Sequence, residues 1–385
     1  MQFRQGFAKN MLTYSPPSSI TILEHGTVLV VVWADGRESW FPAIWLADNR
    51  PENRHKPDGQ RLLDAAELPA DIAIRRAEIG TGGIAIAFSC FEAPSNFDGT
   101  WLRAHALDPV SRSERRHAPL LWDHALADNL PADTYDAVTN DRAALARWLA
   151  HVRDLGFAML RGVPTKAGQV CEVVGLFGYV RETNYGRLFD VLASDDANNL
   201  ANTALELGNH TDNPYRDPVP QLQLLHCLEA AEGGGESVVV DGFAAAERLK
   251  RENPSAFEIL SRSAVPFRYF EAGTVDLRHR APLIELNIEG RLRTIRFNNR
   301  SMAPLDLDAE ETLAFYAAYR HFARLLHDPQ LTVGFRLRPG DLFIVDNRRV
   351  LHGRRGFSGG RRHLQGAYAD VDSLLSKLRI LEQMG

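Results

Sequence analysis

PGDLFIVDNRRVLHGRRGF, residues 339–357, decides the fold. Pro339-Gly340-Asp341 reads as a tight turn, LFIVDN as a strand, and His352 follows at the next bend. Far upstream, GNHTDNPYRDP (208–218) places His210 and Asp212 just before the apolar run QLQLLHCLEA (221–230). Residues i and i+2 of an extended segment project to one side, so His210 and Asp212 can meet one metal ion. A double-stranded barrel brings ligands this far apart in sequence to one mouth, which places His352 with them. Two imidazoles and one carboxylate hold one face of a non-haem Fe(II) and leave the other open for a co-substrate and O2. Arg361 and Arg362 follow, with Arg362 ten positions after His352. A guanidinium there suits the far carboxylate of 2-oxoglutarate, gripped by a two-pronged charge-assisted bond.

Around these segments lies a row of strand-like runs. They are FAMLRGV (157–163), QLQLLHCLEA, GESVVVDGF (235–243), AVPFRYF (264–270), PLIELN (282–287), RTIRFNN (293–299), TVGFRLRPGDLFIVDNRRVLHG (332–353) and RHLQGAYAD (362–370). Helical spacing marks NDRAALARWLAHVRDLG (140–156), which opens on an Asn-Asp cap signal, and a short helix in GQVCEVVGLFGYV (168–180). Two more helical inserts are FAAAERLKRENPSAFEILS (243–261) and DAEETLAFYAAYRHFARLLHD (308–328). Many strands, Gly/Pro turns and few helices predict a mainly β chain with flanking helices, whose catalytic domain is a double-stranded β-helix (jelly roll). Residues 1–105 read as a small β-rich N-terminal domain. TVLVVVWADGRESWF (27–41) is two strands around the hairpin signal Asp35-Gly36, and IAIRRAEIGTGGIAIAFS (72–89) supplies two more. IWLADNRPENRHKPDGQRL (44–62) reads as a loop, 106–130 as a connector, and 131–385 as the jelly-roll domain.

The 385 residues leave room for one large and one small domain, and 45% hydrophobic with 24% charged residues is ordinary for a globular protein. A net charge of −5 gives no global field to recruit nucleic acid or a membrane surface. Cys90, Cys171 and Cys227 are scattered, so neither a disulfide scaffold nor a thiolate metal site is expected, and a reducing cytoplasm fits. MQFRQGFAKNMLTYSPPSSI has no long apolar core, and TVLVVVW is far too short to span a bilayer.

The segments 198–228, 233–243, 295–301, 339–357 and 361–381 resemble gamma-butyrobetaine dioxygenase and its trimethyllysine-hydroxylating relatives, within the TauD-like Fe(II)/2-oxoglutarate-dependent oxygenases. VVWADGRESWFPAIWLADN (31–49) extends the likeness to the N-terminal unit. The resemblance implies that His210, Asp212 and His352 bind Fe(II), that Arg362 binds 2-oxoglutarate, and that the Ser237 hydroxyl lies near the same carboxylate. It implies decarboxylation of 2-oxoglutarate to succinate coupled to hydroxylation of a small trimethylammonium molecule by O2, with ascorbate a candidate stimulant. The family's aromatic cage falls on Tyr185, Phe189 and Tyr368; a further cage tyrosine aligns with Asn202, which thins the cage. Asp190 could add charge. Cation–π attraction to such rings is worth ~0.5–2 kcal/mol each. For the anionic end, Asn199, Asn213, Tyr215, Asn298 and Asn299 align with the family, and Arg300 suits a carboxylate or a phosphonate.

Two substrates follow: gamma-butyrobetaine, giving carnitine, or 2-(trimethylamino)ethylphosphonate. Relatives carry a Cys-rich zinc knuckle where this chain has DNRPENRHKPDG (48–59), with His55 its one soft ligand, so no zinc is expected. Outside catalysis, a jelly-roll sensor would not need the intact triad and Arg362, and a cupin-like storage or isomerase protein leaves Arg362 unexplained. The amphipathic SLLSKLRILEQM (373–384) suggests pairing with a second chain, so a homodimer is expected.

Overall fold

The computed structural model describes residues 15–192, 204–358 and 361–384. The chain divides into two compact units, Met1–Ala118 and Pro119–Gly385. The first is two three-stranded antiparallel meanders. β1 (Pro17–Leu23), β2 (Val28–Trp33) and β3 (Glu38–Pro42) form one; β4 (Ile74–Gly80), β5 (Gly83–Phe88) and β6 (Ser95–Asp98) form the other. β5 alternates half-buried and buried residues, as a strand with one core face should. Trp33, Phe41, Leu46, Ile86, Phe88 and Phe97 fill the core between them. A Cβ at Gly83 would sit 2.0 Å from the Phe97 carbonyl oxygen, so only glycine fits there.

The stretch read as a loop contains α1 (Ala43–Asp48), whose Leu46 and Ala47 are buried. Its helical period is too brief to stand out from the Pro- and Gly-rich sequence after it. Two more short helices follow β6: α2 (Gly99–Ala104), capped by Asp98, and α3 (Pro109–Glu114), capped by Asp108 and lying inside the stretch read as a connector. His55 Nδ1 lies 2.8 Å from Asp58.

The second unit opens with β7 (Ala132–Thr134), α4 (Tyr135–Asn140), α5 (Arg142–Leu155) and β8 (Phe157–Arg161). The Asp141 side chain caps α5, and Gly156 ends it at φ 71°. Next come α6 (Gln169–Gly175), β9 (Phe189–Leu192), β10 (Leu207–His210), β11 (Leu222–Glu229), β12 (Gly233–Gly234) and β13 (Ser237–Asp241). The first helical insert breaks into α7 (Gly242–Glu252) and α8 (Pro254–Arg262), because Pro254 cannot continue a helix but serves well at the start of one. Two hairpins follow, β14 (Val265–Glu271) with β15 (Val275–Ala281), and β16 (Ile284–Leu286) with β17 (Leu292–Ile295). α9 (Ala309–Leu326) starts on a capping box of Asp308 and Glu311. The chain closes with β18 (Thr332–Phe335), β19 (Leu342–Asp346), β20 (Val350–Arg354), β21 (Phe357–Ser358), β22 (His363–Ala369) and α10 (Val371–Met384).

The strands make a six-stranded sheet, β7-β8-β19-β11-β22-β9, and a four-stranded sheet, β10-β20-β13-β18. Phe157, Leu225, Val239, Val333, Phe343 and Leu364 pack between them, as the two sheets of a jelly roll require. Strand β11 shows how: Leu225 and Cys227 face this interior, while Leu222 and Leu224 face a helical layer of α5, α6 and α10. Helices α7, α8 and α9 and the two hairpins share a further core with Val240 and Leu351 of the small sheet. Leu374, Leu378 and Leu381 of α10 are buried in this unit's own core. The apolar stripe of 373–384 is therefore already covered and no longer argues for a second chain. Among the described residues no helix is long and apolar enough to cross a membrane.

Candidate active site

The small sheet assembles the three candidate ligands. β10 and β20 pair antiparallel with His210 directly opposite His352, and β20 pairs on its other side with β13, Val239 opposite His352. Directly opposed residues share a sheet face, so both imidazoles emerge on one side. Thr211 is pinned by its N–H to the Phe297 carbonyl (2.9 Å) and by accepting the Phe297 N–H at its hydroxyl (3.0 Å). That leaves Asp212 on the side of His210. His210 Nε2 lies 3.3 Å and His352 Nε2 3.9 Å from Asp212 Oδ1. This is the one cluster of three metal-ligating side chains among the described residues, with its ligand atoms all within 4.8 Å of one another.

Neighbouring side chains hold Asp212 in place. Gln223 Nε2 (2.6 Å) and the Tyr368 hydroxyl (2.7 Å) both donate to Oδ2, which leaves Oδ1 turned to the imidazoles. Asn347 accepts the Asp212 N–H at 2.6 Å and donates to its carbonyl at 3.0 Å. His210 Nδ1 is 2.9 Å from the Gly208 carbonyl, which leaves Nε2 as the free ligand atom. Burial and the neighbouring His210 push His352 down to about 3, so it is a neutral imidazole at physiological pH. Burial alone would raise the Asp212 carboxyl. The His210 contact, the field of both imidazoles and the Tyr368 hydroxyl outweigh it and hold it well below the usual carboxylate range. Two imidazole nitrogens and one anionic oxygen, converging from one side, fit the ligand set of a non-haem Fe(II).

These residues open onto a cavity of about 510 Å3. Arg362, buried, and Ser237 line it. Among the described residues the Arg362 guanidinium has no hydrogen-bond or ion-pair partner. Burial and nearby Arg354 lower it to about 10, so it stays cationic at neutral pH and lacks an anion. Gly235, at φ 72°, packs beside it: a Cβ there would be in ordinary contact with Arg362 Cδ and Nε at 3.5 Å. Arg361 is exposed and faces Glu229 at 3.6 Å, outside the cavity lining. A carboxylate of 2-oxoglutarate is the complement Arg362 lacks.

Of the other residues singled out in the sequence, Tyr185, Phe189, Asp190, Asn213, Tyr215, Asn298, Arg300 and Tyr368 line the same cavity. Phe189 starts β9, and the Tyr185 and Phe189 ring centroids lie 6.3 Å apart. Phe189 and Tyr368 are 5.0 Å apart. Asp190 accepts from His363 (2.6 Å) and Gln365 (3.0 Å), so its charge is already engaged. Arg300 stands exposed at the mouth, yet burial of its guanidinium lowers its pKa. Asn299 is exposed and outside the lining, and Asn298 turns inward instead. Asn199 and Asn202 lie outside the described residues. Sequence reasoning missed Gln223, Asn347 and Tyr269. Gln223 had a signal, as a polar residue at an inward position of an apolar strand. Tyr269 is one of three aromatics on β14, and only packing tells them apart.

Residues 123–368 match the family model described as taurine catabolism dioxygenase TauD, TfdA family, and residues 20–105 match gamma-butyrobetaine hydroxylase-like, N-terminal. The chain is 39% identical to gamma-butyrobetaine dioxygenase of Pseudomonas sp. (strain AK-1), over 92% of this chain and 93% of that protein. It is 33% identical to the Homo sapiens gamma-butyrobetaine dioxygenase, over 94% and 96%. It is 29% identical to trimethyllysine dioxygenase of Meyerozyma guilliermondii, over 92% and 94%.

Proposed function

This chain belongs to the taurine catabolism dioxygenase TauD, TfdA family, and from that footing we propose that it hydroxylates gamma-butyrobetaine to carnitine. It is a 2-oxoglutarate-dependent dioxygenase of the clade that contains the gamma-butyrobetaine and trimethyllysine dioxygenases. The observation that carries the substrate class is the aromatic wall beside Asp212. A trimethylammonium group accepts and donates no conventional hydrogen bond, and aromatic faces attract it through their quadrupoles.

When bound, Fe(II) and 2-oxoglutarate supply the oxidising chemistry, which splits O2 between succinate and the hydroxylated product. His210, Asp212 and His352 hold the metal, and Gln223, Tyr368 and Asn347 keep Asp212 aimed at it. Arg362, with Ser237 beside it, anchors the 2-oxoglutarate tail. Tyr185, Phe189 and Tyr368 seat the cation. Burial pushes the Tyr185 phenol above its ordinary range, so it presents a neutral ring. Asn213, Tyr215, Asn298 and Arg300 face the anionic end.

A second reading, 2-(trimethylamino)ethylphosphonate, is favoured by Arg300, which lines the cavity and among the described residues makes no ion pair. A doubly charged phosphonate gains more from that cation than a carboxylate does, so Arg300→Ala should cost phosphonate turnover more. The cage is tested with Tyr185→Leu and Phe189→Leu, assayed on a trimethylammonium substrate and its neutral tert-butyl isostere. Each variant should penalise the charged substrate more, because only that one is drawn to the ring face. An unchanged charged-to-neutral ratio in both would leave the oxygenase and remove the quaternary-ammonium substrate.

A further inference from the structure

One aromatic wall of the cavity comes from outside both barrel sheets. Tyr269 lies on β14, whose strand partner is β15 in a two-stranded hairpin. Its ring stacks on Tyr215 at 5.2 Å between centroids and meets Tyr185 edge-on at 5.9 Å. The rings of Tyr368, Phe189, Tyr185, Tyr269 and Tyr215 thereby form an unbroken chain. It begins at the Tyr368 hydroxyl on Asp212 and ends on the buried Tyr215, whose hydroxyl donates to Asn213.

The same strand is locked to the segment that carries Arg300. The Arg268 N–H donates to the Ser301 carbonyl and the Ala303 N–H to the Pro266 carbonyl, both at 2.8 Å, and Phe267 pairs with Met302. The Arg268 guanidinium is in turn held by Asp276 through two hydrogen bonds of 2.8 and 3.1 Å. Tyr269 and Arg300, both lining the cavity, thus ride on one hydrogen-bonded piece. Backbone register fixes the spacing between the strand that carries a π surface for a cation and the segment that carries a guanidinium for an anion.

We propose that Tyr269 is a specificity-determining residue: it is the outer wall of the cation pocket and, set against Arg300, it selects the length of the zwitterionic substrate. This rests on the trimethylammonium reading above. Removing the ring takes away a cation-attracting surface and widens the gap that a substrate must bridge.

The test uses the full chain as wild type, Tyr269→Phe and Tyr269→Leu. Each is given trimethylammonium carboxylates of increasing methylene count, with KM and hydroxylated product measured. Melting temperature and anaerobic 2-oxoglutarate affinity are recorded alongside. Wild type and Tyr269→Phe should share one sharp length optimum. Tyr269→Leu should raise KM at that optimum by roughly twofold to thirtyfold, the range a lost cation–π contact allows, and shift preference to longer acids. Its 2-oxoglutarate affinity should be unchanged. An unaltered length profile and KM in folded Tyr269→Leu overturns the proposal. So does a fall in melting temperature or 2-oxoglutarate affinity shared by both variants, which would make Tyr269 a packing residue. A wild type that hydroxylates no trimethylammonium acid removes the underlying substrate reading itself.

Discussion

Arg362→Ala should cripple 2-oxoglutarate binding while leaving the metal site intact. The residue is 6% exposed, lines the same cavity as the triad, and among the described residues has no anionic partner. Its ligands would be the two oxygens of one carboxylate in a site largely shielded from water. Truncating one side of such a desolvated, hydrogen-bonded charge pair costs ~2–5 kcal/mol of binding, which is a Kd increase of roughly 30-fold to a few thousand-fold. Arg362→Lys keeps the charge but loses the planar fork, and should fall between wild type and alanine. The assay is an anaerobic titration of the Fe(II)-loaded protein with 2-oxoglutarate, read by the visible charge-transfer band of the chelate. Arg361→Ala is the control and should bind normally, since Arg361 is exposed beside Glu229. Normal 2-oxoglutarate affinity in Arg362→Ala would refute the assignment and leave the buried guanidinium unexplained.

Three further outcomes are expected. Asp212→Ala should abolish turnover and weaken Fe(II) binding, measured by calorimetry, because two neutral imidazoles remain; wild-type activity would remove the facial triad. His352 is depressed to about 3, below the ~6.5 of an unfolded chain, so unfolding takes up a proton between those values. Stability from this group is therefore present above about pH 6.5 and lost as pH falls toward 3; the melting temperature of metal-free protein should fall over that window, and less so in His352→Gln. Arg349 (3% exposed) binds Asp241 (0%) through two hydrogen bonds of 3.0 and 2.7 Å. Arg349→Ala strands a buried carboxylate at a cost of ~3–5 kcal/mol, which lowers the melting temperature by roughly 6–20 °C; a shift under about 2 °C would mean water or a new partner satisfies Asp241.

The sequence was most legible where covalent spacing does the geometric work. His210 and Asp212 need only an extended backbone to share a side, and the apolar strand before His352 announces its own burial. α5 was legible because an Asn-Asp pair marks its first turn, and both α5 and α9 because apolar residues recur at helical spacing. α1 was lost because six residues carry too few periods to outweigh the Pro- and Gly-rich stretch behind it. The residues that orient Asp212 were harder still. Gln223 and Asn347 act through contacts 11 and 135 positions away, and nothing local tells such an amide from a solvated one. The C-terminal stripe was ambiguous for a related reason: amphipathicity says that a face is covered, not by what. Leu374, Leu378 and Leu381 meet this chain's own core.

The most direct measurement is aerobic turnover, with Fe(II) and 2-oxoglutarate, of a panel of trimethylammonium carboxylates and phosphonates, reading succinate and hydroxylated product together. Gamma-butyrobetaine should give carnitine and succinate in equal amounts and should outpace the phosphonate and the longer trimethyllysine. Succinate without hydroxylated product from any member of the panel, or hydroxylation confined to substrates lacking a quaternary ammonium, would contradict the assignment.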